Sequence, residues 1–219
     1  MDGTNGSTTF TDSGPNALTV TLSGNTQIST AQSKYGGASA YFDGGSSSSL
    51  TISASNVFNF GTGNFTIELW FNIPGGASGS PYGKILVSNE NGASGYTAGA
   101  FALYGLATSS QFRPSFYVYE YSSSSAMLLP SSGDYRDGNW HHLAVVRNGS
   151  AFAMYIDGST VASATHSGNC GSSTRNLMIG DNLANNAGDR NYLGYFDEFR
   201  IKKGEAVYTT TFTPSGPFS

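Results

Sequence analysis

Short runs of β-branched and aromatic residues recur along the whole chain, and clusters of Gly, Ser and Asn separate them. Their length and spacing are typical of strands joined by tight turns, and no segment shows the periodicity of a long amphipathic helix. This pattern predicts an all-β fold, a jelly-roll sandwich of two antiparallel sheets. The candidate strands are residues 17–22, 38–44, 49–53, 64–73, 83–89, 99–106, 112–121, 139–147, 151–157, 160–165, 176–181 and 192–203.

Two of the three histidines are neighbours, in "DGNWHHLAVVRNGSAFAMYIDG" (137–158). Neighbouring residues of a strand point to opposite faces of the sheet, so His141 and His142 cannot easily converge on one ion. Both faces of this segment are largely apolar, which indicates a strand that is covered on both sides. We therefore favour structural roles for the two histidines over metal binding or catalysis.

Length and composition limit the classes of function. A chain of 219 residues can form one all-β domain, and we expect a single domain over residues 1–219. A net charge of −4 and scattered basic residues argue against nucleic-acid binding. The single cysteine, Cys170, cannot form an internal disulfide. No apolar run is long enough for membrane insertion, and "MDGTNGSTTFTDSG" does not have the pattern of a signal peptide.

Four segments carry a resemblance to a known family. They are "KYGGASAYFDGG" (34–45), "FNFGTGNFTIELWFN" (58–72), residues 137–158 and "GYFDEFRIKKGEAVYTTTFTPSGPF" (194–218). In this order and spacing they resemble the laminin-G-like, concanavalin A-like lectin/glucanase superfamily, and in particular its pentraxin-type branch. The resemblance implies the jelly-roll fold. Since only Met1 precedes the Asp-Gly at the start, the chain resembles either a domain excised from a longer protein or a family member that lacks half a strand.

Catalysis is not expected. Glycosidases of this clan carry carboxylates with the spacing Glu-x-Asp-x-x-Glu on one strand, and that spacing does not occur here. Asp197 and Glu198 are neighbours, so alternation separates them and they do not form an acid/nucleophile pair. The motifs of jelly-roll polysaccharide lyases and a nucleophile elbow are also missing from the sequence. We therefore expect a protein that is not an enzyme.

Calcium (Ca²⁺) is the ion that the resemblance implies, and two places could bind it. In this clan the Asp of the last long strand often binds calcium together with carbonyls near the N-terminus. Here that residue is Asp197, with Gly44 and Asp2 as partners. The alternative is that Asp197 caps backbone N–H groups. The second place is the loop pair 88–92 and 180–190, whose oxygen-bearing side chains suit calcium, although Asn-rich loops are also ordinary turns. The metal candidates there are Asn89, Asn91 and Asp181.

Tyrosines are the candidates for sugar recognition. In "FRPSFYVYEY" (112–121), alternation places Tyr117, Tyr119 and Tyr121 on one face with Arg113 and Ser115. Exposed aromatic rings of this kind can stack on a sugar ring, but tyrosine is also common in partly buried strands. The remaining carbohydrate-binding candidates lie in the loops and are Tyr82, Glu90, Tyr96, Asn182 and Asp189.

Together these features predict a non-catalytic recognition module that binds carbohydrate on a host cell surface. The resemblance implies a phage tail fibre, another virion-surface protein or a secreted adhesin, and therefore an extracellular or virion-surface location. A fold alone does not establish function. Two alternatives are a structural or decoration module that contacts other virion subunits, and an accessory domain of a polysaccharide-degrading enzyme.

Overall fold

The computed structural model describes residues 1–45, 47–75, 84–89, 98–107, 111–119, 126–171, 174–181 and 191–218. Within these ranges the chain forms sixteen β-strands and one short 3₁₀ helix, Asn56–Phe58. No helix of the described residues has the length and apolar character needed to cross a membrane. The predicted all-β fold is confirmed.

All twelve candidate strands are present, with ends that differ by a few residues from the sequence pattern. They are β1 (Val20–Ser23), β3 (Ser39–Asp43), β4 (Ser49–Ile52), β6 (Phe65–Asn72), β7 (Lys84–Ser88), β8 (Phe101–Ala107), β9 (Phe112–Val118), β11 (Trp140–Asn148), β12 (Ala151–Ile156), β13 (Ser159–Thr165), β15 (Leu177–Ile179) and β16 (Leu193–Lys203). Four further strands of two or three residues were not among the candidates. These are β2 (Gln27–Ser29), β5 (Asn59–Gly61), β10 (Ala126–Leu128) and β14 (Cys170–Gly171).

Two seven-stranded sheets form the sandwich. The front sheet has the order β1-β4-β15-β7-β8-β9-β10, and the back sheet has the order β13-β12-β11-β6-β16-β3-β2. Every described strand pair is antiparallel. Half of the twelve neighbouring pairs join strands that are distant in sequence, such as β4 with β15 and β6 with β16, which is typical of a jelly roll.

The main core lies between the two sheets and is rich in phenylalanine. Phe65 of the back sheet lies 6.5 Å from Phe116 of the front sheet, measured between ring centroids. The ring centroids of Phe71 in the back sheet and Phe112 in the front sheet lie 6.2 Å apart. In β6, Phe65, Ile67, Leu69 and Phe71 therefore point between the sheets, and Glu68 lies on the outer face.

The C-terminal segment 205–218 covers part of the outer face of the back sheet. Tyr208 and Phe212 stack at 3.5 Å, and both pack on a small cluster formed by Ala144, Val146 and Tyr155. The segment contributes to the burial of β6, because Thr66 bonds to the carbonyl of Glu205 and Glu68 bonds to Tyr208. The strand with the paired histidines is also covered on both sides along most of its length, as predicted.

Candidate functional site

Three tyrosines form a cluster on the outer face of the front sheet. The hydroxyl oxygens of Tyr104 and Tyr119 lie 3.0 Å apart and share a hydrogen bond. The ring of Tyr117 stands edge-on to Tyr104 at 5.3 Å and nearly parallel to Tyr119 at 6.3 Å. We call Tyr104, Tyr117 and Tyr119 the tyrosine cluster.

Alternation in β9 produces this cluster. Phe112, Phe116 and Val118 point into the core, so Tyr117 points outward. The partner of Tyr117 on β8 is Ala102, whose small side chain leaves room for the phenol ring. The predicted division of β9 into an apolar and a tyrosine-bearing face is confirmed.

Of the three tyrosines predicted on this face, the two that the structure describes differ in exposure. Tyr117 is partly exposed, whereas Tyr119 is only 4% exposed and its hydroxyl is bonded to Tyr104. Tyr117 is thus the member of the pair that can offer part of its ring to a ligand. Arg113, on the same face, donates from Nη1 to the carbonyls of Pro130 and Ser131 at 3.0 and 2.9 Å. Arg113 therefore anchors the segment that follows β10.

Several predicted residues fall outside the described ranges. These are Tyr82, Glu90, Asn91, Tyr96, Tyr121, Asn182 and Asp189. Of the loop candidates, Asn89 and Asp181 are described. Asn89 is fully buried, and its side-chain amide donates to the carbonyl of Arg175 at 3.2 Å.

Antiparallel pairing separates Asn89 from Asp181. Ser88 is the register partner of Met178, so Asn89 follows β7 at the end where β15 begins. Asp181 follows β15 at its other end, where the Gly180 N–H donates to the carbonyl of Leu86. Four residues of strand correspond to about 13 Å. The structure therefore does not bring these two predicted metal ligands together, because consecutive ends of antiparallel strands lie at opposite edges of the sheet.

The carboxylate of Asp197 is fully buried and accepts backbone hydrogen bonds. Oδ2 accepts from the N–H groups of Lys34 at 2.9 Å and Tyr35 at 3.1 Å, and Oδ1 accepts from Glu198 N–H at 2.9 Å. The backbone nitrogen of Met1 lies 3.7 Å from Oδ1. N–H donors thus occupy both oxygens, which is the capping alternative.

One other member of the first predicted calcium site, Gly44, lies apart from Asp197. Phe196 is the register partner of Ala40, four residues before Gly44, so Gly44 lies about 13 Å along β3 from that pair. The carboxylate of Asp2 lies against Gly36, where no side chain could be accommodated. Among the described residues, no group of three or more His, Cys, Asp and Glu side chains is arranged to hold a metal. The calcium sites remain predictions.

The paired histidines point to opposite faces, and each contacts a carboxylate. His142 is fully buried on the outer face, and its Nε2 lies 3.2 Å from Oε2 of Glu68. His141 lies on the other face, where Nδ1 is 2.7 Å from Asp157 and Nε2 is 3.2 Å from Asp137. The predicted separation of the two imidazoles is confirmed.

Glu68 is the centre of a buried polar cluster that sequence reasoning missed. Its Oε1 accepts from Arg200 Nε and Nη2 at 2.9 and 2.7 Å, and its Oε2 accepts from Tyr208 OH at 2.8 Å as well as contacting His142. We call Glu68, His142, Arg200 and Tyr208 the Glu68 cluster. Burial alone would raise the pKa of Glu68, but hydrogen bonds from His142 and Arg200 and the Arg200 charge hold it below its usual range.

The geometry of His141 predicts a pH-dependent contribution to stability. Burial lowers its pKa, but the hydrogen bonds and charges of Asp157 and Asp137 raise it by more, so the net pKa is raised. Although burial acts to raise the pKa of each carboxyl, both aspartates have lowered pKa values. The stabilisation is therefore fully present between about pH 3.9 and 6.5, the ordinary pKa values of Asp and His. The stabilisation is lost as the pH falls through the lowered pKa values that Asp137 and Asp157 have in the folded state. It is also lost as the pH rises through the raised pKa that His141 has in the folded state.

We expect the difference in unfolding free energy between the wild type and His141→Gln to be largest near pH 5–6. It should shrink as the pH is raised to about 9, well above the ordinary histidine pKa. Urea unfolding at a series of pH values measures it, and Asp157→Asn should show the same trend. A difference that stayed constant over this range would contradict the ion-pair account.

Comparison with known proteins agrees with this architecture. Residues 43–206 match the laminin G family described as the concanavalin A-like lectin/glucanases superfamily. No curated protein matches the chain significantly.

Several solved structures share the fold at low sequence identity. The binding domain of Paraclostridial Mosquitocidal Protein 1 is similar with a TM-score of 0.67 and 14% identity, over 88% of this chain and 46% of that one. Domain 4 of an extracellular GH43 arabinanase from Geobacillus stearothermophilus, solved in complex with arabinotriose, has a TM-score of 0.61 and 16% identity, over 86% of this chain and 82% of that one. Domains LG4-5 of the mouse laminin alpha1 chain have a TM-score of 0.52 and 16% identity, over 81% of this chain and 46% of that one.

This chain spans about half the length of the mosquitocidal and laminin chains that it matches. At these identities the likeness to solved structures shows the fold alone. The family match, in contrast, extends over most of the chain and includes strands of both sheets. The chain belongs to the laminin G family of the concanavalin A-like lectin/glucanases superfamily.

Proposed function

We infer that this protein is a non-catalytic recognition module that binds carbohydrate on a cell surface. The observation that carries this inference is the tyrosine cluster, where Tyr117 lies partly exposed beside Tyr104 and Tyr119. A tyrosine ring combines an apolar face, which can stack on a sugar ring, with a hydroxyl that can bond to sugar hydroxyls. Tyr104 and Tyr119 hold this ring in one orientation, so little side-chain entropy is lost on binding.

Two neighbouring folds support this ligand class. The arabinanase domain was solved with arabinotriose, and the mosquitocidal chain is described as a binding domain. The non-catalytic part of the proposal is supported by the buried carboxylates, which are occupied by structural contacts. Asp197 caps backbone N–H groups, and Glu68 accepts from three side chains. Neither is free to act on a substrate.

The segment "FDEFRIKKGEAVYTTTFTP" supports a place in a phage tail fibre or another virion-surface or secreted adhesin protein. The partner would be a glycan or polysaccharide of the host surface, and the location extracellular or on the virion. A second candidate is an accessory domain of a polysaccharide-degrading enzyme, which the similarity to domain 4 of the arabinanase favours. Contacts with other virion subunits and a dependence on calcium remain predictions.

Substitution of Tyr117 tests the proposed site. We expect Tyr117→Ala to weaken binding to a glycan that the wild type recognises by about tenfold or more, since stacking on one aromatic ring contributes on the order of 1–2 kcal/mol. Tyr117→Phe should keep most of the affinity because the ring remains. Isothermal titration gives the dissociation constants. Thr21→Ala, an exposed position on β1 of the same sheet, is the matched control. An unchanged affinity for Tyr117→Ala would exclude this site.

A further inference from the structure

Five side chains form a row across the outer face of the back sheet. They are register partners on five neighbouring strands: Trp140 pairs with Asn72, Asn72 with Tyr195, Tyr195 with Tyr41, and Tyr41 with Gln27. Directly opposed residues of paired strands lie on the same face. This is also the face of His142, because Trp140 and His142 are two residues apart on β11. We call these five residues the aromatic row.

The aromatic members of the row are kept at the surface. Trp140, Tyr41 and Tyr195 are each partly exposed, and none of them belongs to the hydrophobic clusters of the described residues. The rings of Tyr41 and Tyr195 lie 5.0 Å apart at 39°. Three large aromatic side chains grouped on one sheet face form an apolar surface that the core does not use. Such surfaces mark contact sites.

The adjacent row of the same sheet is covered, which sets the aromatic row apart. Lys34 Nζ lies 4.0 Å from the centre of the Trp70 ring, and Tyr35 stands edge-on to Trp70 at 6.0 Å. Phe218 of the C-terminal segment packs against His142 at 5.9 Å. Trp70 is consequently 5% exposed and His142 fully buried. Two residues further along the strands, this cover gives way to the partly exposed Trp140 and Tyr195.

The polar groups of the row itself favour an uncharged ligand. The row offers the partly exposed amide of Gln27 and the phenol groups, while Asn72 is buried and donates to the carbonyl of Gly138, and no member of the row is cationic. The nearest charged group along β3 is Asp43, two residues from Tyr41. Its pKa is lowered, chiefly by the hydrogen bond from Ser48, so it is ionised at neutral pH and repels anions. Neutral sugars match this chemistry, because their rings have apolar faces for stacking and hydroxyls for amide groups.

The row is long enough for a chain of sugar units. Trp140 on β11 and Tyr41 on β3 are separated by three strand spacings, about 14 Å. The aromatic rings thus lie at intervals along a line that crosses the strands. A polymer lying on this line would contact the rings in turn.

We propose that the aromatic row is a second carbohydrate-contacting surface, which binds a stretch of neutral polysaccharide on the side of the sandwich opposite Tyr117. It rests on the ligand class of the proposed function but not on its site. The two surfaces lie on different sheets, so one molecule can hold two segments of polysaccharide, and linked contacts raise the apparent affinity for a polymer.

Affinity electrophoresis through gels with linear arabinan, xylan, mixed-linkage β-glucan or galactomannan tests this proposal. We expect at least one polymer to retard the wild type, and the double variant Tyr41→Ala/Tyr195→Ala to lose at least tenfold of that affinity. Tyr41→Phe/Tyr195→Phe should keep most of it. Ser163→Ala, exposed on β13 of the same sheet, is the control. Unchanged retardation of the alanine double variant, with intact melting, overturns the proposal. Loss in Tyr117→Ala alone also overturns it, but leaves the proposed function standing.

Tryptophan fluorescence gives a second readout that does not depend on the alanine variants folding. The chain has two tryptophans, and only Trp140 is in the row. The retarding polymer should change the fluorescence of the wild type and of Trp70→Phe, and should not change that of Trp140→Phe. A change that persists in Trp140→Phe and vanishes in Trp70→Phe contradicts the proposal. If no polymer retards the wild type, this proposal fails, whereas the proposed function fails only if the protein also binds no glycan on a glycan array.

Discussion

Replacing Glu68 by alanine should lower the free energy of unfolding by about 3–5 kcal/mol, the usual loss when one partner of a buried ion pair is removed. The side chain of Glu68 is fully buried, and that of Arg200 is 20% exposed. Without the carboxylate, the guanidinium of Arg200 and the donors of His142 and Tyr208 lose their common acceptor. Equilibrium unfolding in urea at neutral pH measures the difference.

Two further variants make this prediction specific. Tyr208→Phe removes one hydrogen bond to the carboxylate and should cost about 1.5–3 kcal/mol, the range for a bond to a charged group. Glu205→Ala, an exposed glutamate in the same C-terminal segment, should change stability by less than about 0.5 kcal/mol. A loss below about 1 kcal/mol for Glu68→Ala would show that the Glu68 cluster does not hold this segment to the sheet.

Asp197→Ala should lower the unfolding free energy by about 3 kcal/mol or more, since each buried donor left unpaired costs about 1–3 kcal/mol. The N–H groups of Lys34, Tyr35 and Glu198 all donate to this carboxylate. Asp12→Ala is the matched control, because Asp12 also caps backbone N–H groups but in a more exposed turn. It should cost about 1 kcal/mol.

The same variant separates the capping account from the calcium prediction. If Asp197 acts by capping, Asp197→Ala loses the same stability in excess calcium and in excess chelator. If it binds calcium, the wild type gains stability with calcium concentration through binding to the folded state, and the variant does not. A loss confined to calcium-containing buffer would contradict the capping account.

The fold could be predicted because its signals are local. Strands of four or more residues show alternation, as in β6, where the apolar residues face the core and Glu68 faces outward. The same alternation placed His141 and His142 on opposite faces of β11. The short strands β2, β5, β10 and β14 carry no such signal, so only the structure shows them.

The sites depend on contacts between distant segments, which one sequence does not contain. Alternation identified the face of Tyr117 and Tyr119, but the burial of Tyr119 depends on packing against Tyr104 on the neighbouring strand. Asn89 and Asp181 were grouped by their oxygen chemistry, and the antiparallel pairing of β7 with β15 separates them. The outward-facing Glu68 on an apolar strand was the one available signal for the Glu68 cluster.

The central claim is that the protein recognises a glycan without cleaving it. The most direct measurement applies the pure protein to a glycan array, with calcium and with chelator, and assays the bound polysaccharide for newly formed reducing and unsaturated ends. We expect binding to at least one neutral glycan, and no release above that of buffer. Reproducible release that a single Asp or Glu substitution abolishes would contradict the claim. The absence of glycan binding in both conditions would contradict it as well.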